Sequence, residues 1–427
     1  MSNLAPNASH HHTELGIKGD ELAKDKLAQP LVSIRQTGFE DGNNIETETD
    51  EGHTGTSNLD MGSYRKSAES APTWEDGCRY GQGFEDYMYL LLPNKVITAH
   101  ATVSGIYNHV YNMPPNVDRD LPFATIYHGF AKTETDARIF NNAMLNEFEL
   151  TMSADDKPTV KPTFLSDYNY VNTIEPTTNL LEDHLARTVM AQHTSVYIGP
   201  VGATEICEDP DNDDCEGKMR PIDCFKEASL TINHNAESQS CHGDEFGINT
   251  KTMGARELTG SINMPWVDAT KYFETEYECY NKYGHIVSTE ITQKQVWYVM
   301  EGGNIIRQSD SDTLGAGEKI VKTVVANEGT EQETTTYFIA TGIPYKTIFK
   351  VPVMEVTNVT SPKSGNEAKD LTMEWKGVEQ STQSYMTVEM TTDLANPHID
   401  TTGTTLESFY PENNADILSR NPQFATD

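Results

Sequence analysis

Apolar residues recur at every second position through much of this chain, the spacing of strands with one buried and one solvated face. Val32 and Ile34 alternate with Ser33 and Arg35. Within residues 145–153, Phe148, Leu150 and Met152 fall on one side and Glu147, Glu149 and Thr151 on the other. Residues 227–235 place Leu230 and Ile232 together. Leu258, Ile262, Met264 and Trp266 share a side with Gly260, opposite Thr259, Ser261 and Asn263. Residues 195–198, 290–300, 336–347, 351–360, 371–375 and 385–390 read as further strands, and 96–110 as a strand or hairpin. Helical spacing is rare. It occurs in 84–92, where Pro93 ends it, and in 180–190.

The pattern breaks at both ends and near the middle. Residues 1–29 are rich in Asn, Ser, Gly and charge and read as a flexible arm, with one short helical stretch at 20–27. Residues 173–179 (TIEPTTN) read as a linker, and 394–427 as a polar tail that hangs or wraps on a neighbour. Between these lie two β-rich halves, 30–178 and 179–393, the second with an insertion at 207–224. The halves carry a repeat. At one constant offset, Gly247 falls on Gly55, Met253 on Met61, Gly254 on Gly62, Trp266 on Trp74, Asp268 on Asp76 and Tyr272 on Tyr80. A repeat this long implies two copies of one domain rather than a solenoid. The expected fold is mainly β: two tandem sandwich or barrel domains, each with a short helix, and flexible termini.

Composition narrows the function classes. The chain has 427 residues, a hydrophobic fraction of 36% and a net charge of -34. That charge argues against ordinary nucleic-acid binding, which needs Lys and Arg on phosphates, yet suits a wall along which DNA passes without sticking. No run of about 18 apolar residues suggests a membrane helix, and the N-terminus lacks the apolar core of a signal peptide. The cysteines are Cys78, Cys207, Cys215, Cys224, Cys241 and Cys279. They form no C-x-x-C and are expected as free thiols, with Cys207–Cys224 and Cys215–Cys241 as the links that would overturn this.

Catalytic chemistry finds little support. Residues 314–319 (LGAGEK) have the wrong spacing for a phosphate loop. Asp209, Asp211, Asp213 and Asp214 suit calcium by alternation but miss the EF-hand Gly and Glu, so a solvated loop is the plainer reading. His234 and His242 are too far apart to share a helix face, and His10, His11 and His12 sit in the arm. Glu147 and Glu149 lie on one strand face and read as surface charge, because hydrolase pairs come from separate elements. No catalytic, cofactor-binding or metal residue is assigned, and an enzyme is not expected.

The stretches EASLTINHNAESQ, MGARELTGSINMPWVDATKYF and FKVPVMEVTNVTS, in that order, resemble the major tail tube proteins of tailed bacteriophages. The first half repeats the order in MGSYRKSAESAPTWED, FEDYMYLLL and FNNAMLNEFELTMS, so the resemblance spans about residues 30–393. It implies a sheet that joins those of neighbours into a barrel around a channel, with six tube domains per ring. With two such halves per chain, three chains would close one ring. It further implies a virion protein whose rings stack, with tape-measure and terminator proteins as partners and DNA passing through an acidic lumen. The rival reading is a β-sandwich adhesin or carbohydrate-binding protein, which would need exposed aromatics. Trp74, Trp266, Trp297 and Trp375 are expected in the core instead.

Overall fold

A computed structural model describes residues 12–20, 26–34, 36–49, 63–113, 121–129, 135–167, 170–174, 187–207, 215, 217–222, 224–239, 250–265, 293–326, 334–360, 370–380, 384–402 and 404–405. The described chain is mainly β, and most of its strands join one large sheet system, antiparallel almost throughout. The strands that matter below are β1 (His12–Lys18), β2 (Gln36–Glu40) and β3 (Thr73–Gly77), followed by helix α1 (Phe84–Leu91). Next come β4 (Asn94–Ala99), β5 (Tyr107–Asn112), β6 (Ala124–Gly129), β7 (Thr135–Ser153) and β8 (Thr159–Asp167). The second half holds β9 (Thr194–Pro200), β10 (Glu227–Asn233), β11 (Glu257–Pro265) and β12 (Lys294–Ser309). It ends with β13 (Lys319–Ala326), β14 (Thr334–Thr360), β15 (Asp370–Gly377) and β16 (Thr387–Thr392).

Two layers organise these strands. The first, the long sheet, runs β2–β3–β8–β7–β10–β11–β15–β14. The second runs β4–β5–β16–β14–β12–β9. Strand β14 serves both layers, its middle pairing with β12 and β16 and its end with β15. One apolar core lies between them. Leu15, Trp74, Phe148, Leu230, Phe349, Trp375 and Met390 all belong to it, so the halves share a core.

The order of pairing repeats along the chain. In the first half, β1 pairs β6, β6 pairs β7, β7 pairs β8, β8 pairs β3 and β3 pairs β2. In the second, β9 pairs β12, β12 pairs β14, β14 pairs β15, β15 pairs β11 and β11 pairs β10. Every one of these pairings is antiparallel. The halves join where β10 adds to β7, with Phe148 opposite Ile232 and Leu150 opposite Leu230.

Helix α1 is buried on nearly every side, as a helix inside a core must be. It starts at Gly83, whose φ of +101 few side chains tolerate, and stops at Leu92 ahead of Pro93. Its two acidic residues, Glu85 and Asp86, sit in the first turn, where the helix dipole favours negative charge.

The ends of the described chain depart from expectation. The arm expected over 1–29 contributes β1, which lies between β6 and residues 32–34 and buries Leu15 and Ile17 completely. The period-two pattern of Thr13, Leu15 and Ile17 was masked by the polar residues around it. The expected short helix at 20–27 is also replaced at its end, because Lys26 and Leu27 pair with Thr405 and Thr404. The tail expected from 394 onward is likewise seated: Ile399 and Asp400 pair with Ile17 and Lys18. Residues 170–174, at the edge of the expected linker, form a strand against β7. The helix expected at 180–190 falls mostly outside the described residues; Arg187 ends a 3-10 turn and 188–190 are not helical.

Candidate assembly site

Among the described residues, the long sheet presents one bare polar face. Along each strand, residues alternate between the core and this face. Core positions include Trp74, Val160, Phe148, Leu150, Ala228, Ile262, Met373 and Trp375. Facing out are Glu75, Glu147, Glu149, Glu227, Glu257, Asp370, Glu374 and Glu355, set against Lys161 and Lys376. The face is therefore acidic. Small hydroxyl residues fill the gaps between the carboxylates: Thr151 beside Ser229, Ser229 beside Ser261, Thr231 beside Thr259. Glu147 and Glu149 share this face as their spacing requires, and Glu147 accepts a hydrogen bond from Asn233 at 2.7 Å.

Both borders of the long sheet are open among the described residues. Strand β2 pairs only with β3 there, and residues 355–360 of β14 pair only with β15. Each border offers a row of backbone N–H and C=O groups to another strand, the usual liability of an edge. A third open edge is β13, which pairs with β14 alone and is exposed along its whole length. It carries Ile320, Val321, Val324 and Val325 in water, alongside Lys319 and Lys322.

One end of the outer face of the second sheet is covered instead, around Trp297. Trp297 points away from the main core and packs with Ala203 and Met219, flanked by Tyr197, Ile206 and Ile348. Gln295 donates its amide to the Ala203 carbonyl, and Lys350 lies over the Trp297 ring at 4.7 Å. The cover is tied to itself by the Ile206–Met219 bridge and by a disulfide joining Cys207 to Cys215. This corrects the expectation of free thiols there. Both sulfurs are buried in the cover, and Cys224, the partner weighed from sequence, is exposed and free. Cys78 is free and buried, where burial pushes its thiol up. The described part of the insertion is thus an outer cover on the second sheet.

Buried ionisable groups gather at the first turn of α1. The Glu85 carboxylate accepts the Gly81 N–H on both oxygens, at 2.9 and 2.8 Å, and the Thr392 hydroxyl at 2.8 Å. Burial pushes its carboxyl up to about 7, with Asp86 adding to the shift. Asp86 accepts the His398 backbone N–H at 2.7 Å and contacts its Nδ1 at 3.0 Å. Asp86 in turn raises the His398 imidazole against the cost of burial. These bonds seat residues 392–400 on the helix. His109 adds to them by its 2.7 Å contact with the Leu394 carbonyl.

The remaining sequence candidates do not converge. His234 is buried, and burial pushes its imidazole down to about 4. Residues 314–319 turn into the exposed β13, where Glu318 pairs with Arg307 at 2.8 Å. A cavity of about 400 Å³ includes Arg187, Arg307, Phe338, Tyr345 and Asp393 in its wall. Its arginines are already committed, Arg187 to Asp393 and Arg307 to Glu318. Among the described residues no three metal-ligating side chains meet, and no helix is long and apolar enough to cross a membrane. Asp209, Asp211, Asp213, Asp214, His10, His11, His242, Cys241, Cys279 and Trp266 lie outside the described residues; His12 opens β1. Of the tryptophans, Trp74, Trp297 and Trp375 are buried, which leaves them no part in an exposed sugar platform. The acidic face was legible at Glu147 and Glu149, whereas sequence spacing alone missed the places of the open edges, since spacing shows which residues face water but not which strands lie last. No protein-family model matches the chain, and no curated protein matches it in sequence.

Proposed function

We propose that this chain is a structural subunit of a phage tail tube, in which three copies close a ring and rings stack around a channel. The observation that carries the reading is the repeated pairing order. Each half contributes four strands to the long sheet, β2–β3–β8–β7 and then β10–β11–β15–β14. We read the halves as two copies of one tube domain. The junction between them, β7 against β10, then has an empty equivalent at each border of the chain. Residues 355–360 of one copy meet β2 of the next in that role. Such closure turns exposed edges into assembly surface.

The polar face fits the inside of that ring. Its carboxylates keep phosphate at a distance, and its Thr and Ser rows offer DNA no cation to hold it. Tape-measure and terminator proteins are the partners that the reading brings with it. The test is electron microscopy of the purified chain together with the mass of its smallest closed assembly. Rings of three chains with the acidic face inward are expected. A six-chain ring, a cationic lumen or a lasting monomer would each overturn the proposal.

A further inference from the structure

Residues 393–400 leave β16, pass the first turn of helix α1 and reach β1, and ionisable side chains hold them on the way. Asp393 pairs with Arg187 at 2.7 Å. The Leu394 carbonyl accepts a hydrogen bond from His109 Nε2 at 2.7 Å. Asp86 Oδ1 accepts the His398 backbone N–H at 2.7 Å, and Asp86 Oδ2 accepts His398 Nδ1–H at 3.0 Å. Ile399 and Asp400 then pair with the end of β1, where the Gly19 N–H donates to the Asp400 carbonyl at 2.8 Å. Between these ties, Ala395 and Asn396 are exposed.

The ionisable groups at this contact come from several elements. The helix brings Glu85 and Asp86, both fully buried, and residues 393–400 bring His398. Strand β4 brings Lys95, whose Nζ lies 4.0 Å from the Tyr89 ring centre and which Asp20 attracts as well as Asp86. Strand β5 brings His109 and Tyr111, and Tyr80 stands before the helix. Burial pushes His109 down and the three tyrosines up, so these four stay uncharged around neutral pH. The groups left to titrate there are Glu85 and His398. With both protonated, one carboxylate faces one imidazolium. With both protons gone, two neighbouring carboxylates are buried and His398 is uncharged.

A fixed tether is the plain account of these contacts. It does not explain why the tie is made by a histidine on two adjacent buried carboxylates, where each lost proton adds a charge that burial penalises. We propose that residues 393–400 are a proton-operated latch: His398 seated on Asp86 closes them over helix α1, and loss of protons from the contact lets them leave the helix while the sheets stay formed. Burial raises Glu85 to about 7. Burial works against the His398 proton, but Asp86 and then Glu85 outweigh it and raise the imidazole. Both groups therefore hold protons more tightly closed than open, so low pH closes the latch and rising pH opens it. Opening takes the parallel partner from Ile17 and Lys18. Residues 32–34 pair with β1 and lead into β2, so the state of the latch reaches a border of the long sheet. The latch operates in a single chain as well as in a ring.

The test is hydrogen exchange of the full chain from about pH 5 to about pH 9, corrected for intrinsic rates. The amides of His398 and Gly19, which the latch itself holds, report its opening. Their protection should stand below that of residues 147–153 and 227–233 throughout and fall by ~10-fold or more as pH rises. His398→Asn keeps a donor for Asp86 without a titrating proton and should reduce that fall. Glu85→Gln in the same chain should remove the rest. The wild-type profile alone decides if either variant fails to fold. Protection of these two amides that is flat with pH, or equal to that of the sheet at every pH, overturns the proposal. So does a fall left unchanged by a folded His398→Asn chain.

Discussion

The two halves use the same pairing order and fill their cores differently. In the first, Trp74 lies on β3, stacks on Phe164 and donates its indole N–H to Tyr87 on helix α1 at 3.0 Å. In the second, Trp375 lies on β15 and donates to Tyr298 on strand β12 at 3.1 Å. A buried indole needs a partner for its N–H, and each half supplies a tyrosine, from a helix in one and a strand in the other. The comparison separates two demands on sequence. Pairing asks only for alternation, which many residues satisfy. Core filling asks for volume and a few satisfied polar atoms, which unlike elements can deliver.

The sharpest way to break the comparison is to remove each tryptophan. Trp74→Ala and Trp375→Ala should each cost about 3–5 kcal/mol in denaturant unfolding, and each variant should lose structure in one transition. Two separable transitions would mean that the halves are independent despite their shared core. Next in size is Glu85, which has no described counterpart in the second half. Its carboxyl is raised from 4.5 to about 7, so the folded chain binds the extra proton between those values. Its contribution is full below about pH 4.5 and is lost as pH rises through 7, a span on the order of 3 kcal/mol. His398, also raised, acts in the same direction. The stability difference between wild type and Glu85→Gln should therefore change steadily across that window. A flat difference would remove the buried acid from the account.

A smaller effect tests the second core. Gly260 faces Trp375 across the sheet as Asp76 faces Val160. A Cβ at Gly260 would stand 2.4 Å from the Trp375 ring and 2.5 Å from the Ser229 carbonyl. Gly260→Ala should cost about 1–3 kcal/mol by calorimetry. A neutral result would show that Trp375 can move aside. The smallest effect belongs to β13, an extension with no counterpart among the described residues of the first half. Val321→Lys with Val325→Lys should change stability by less than about 0.5 kcal/mol and lower self-association in sedimentation. Unchanged association would leave that edge without a role in contact between copies.

Local patterns made much of this legible. The alternation of 145–153, 227–233 and 257–265 appears in β7, β10 and β11, and the short helix ends ahead of Pro93 as its ring requires. Strand length was less readable. Residues 336–347 and 351–360 looked like two strands but form one, because Ile348, Phe349 and Lys350 between them stay paired with β12 and β16. The places of β1 and of residues 399–400 were not readable at all. Their partners lie far away in sequence, and alternation carries no address. The cover over Trp297 was seen as an insertion, but nothing in its acidic composition marked the sheet face beneath it.

Strand β5 completes its pairing only with β16, at residues 387–392, and β1 meets its parallel partner only at Ile399. A ribosome releases the first half long before it makes either segment. During that interval β5 keeps an open edge and Glu85 lacks Thr392. The first half must wait, partly formed, until residues 387–400 have been made, and such late long-range closure is slow. Arrival of residues 387–400 is therefore built into the fold as a timing signal. A chain truncated before residue 387 should remain unfinished and engage chaperones rather than sister copies.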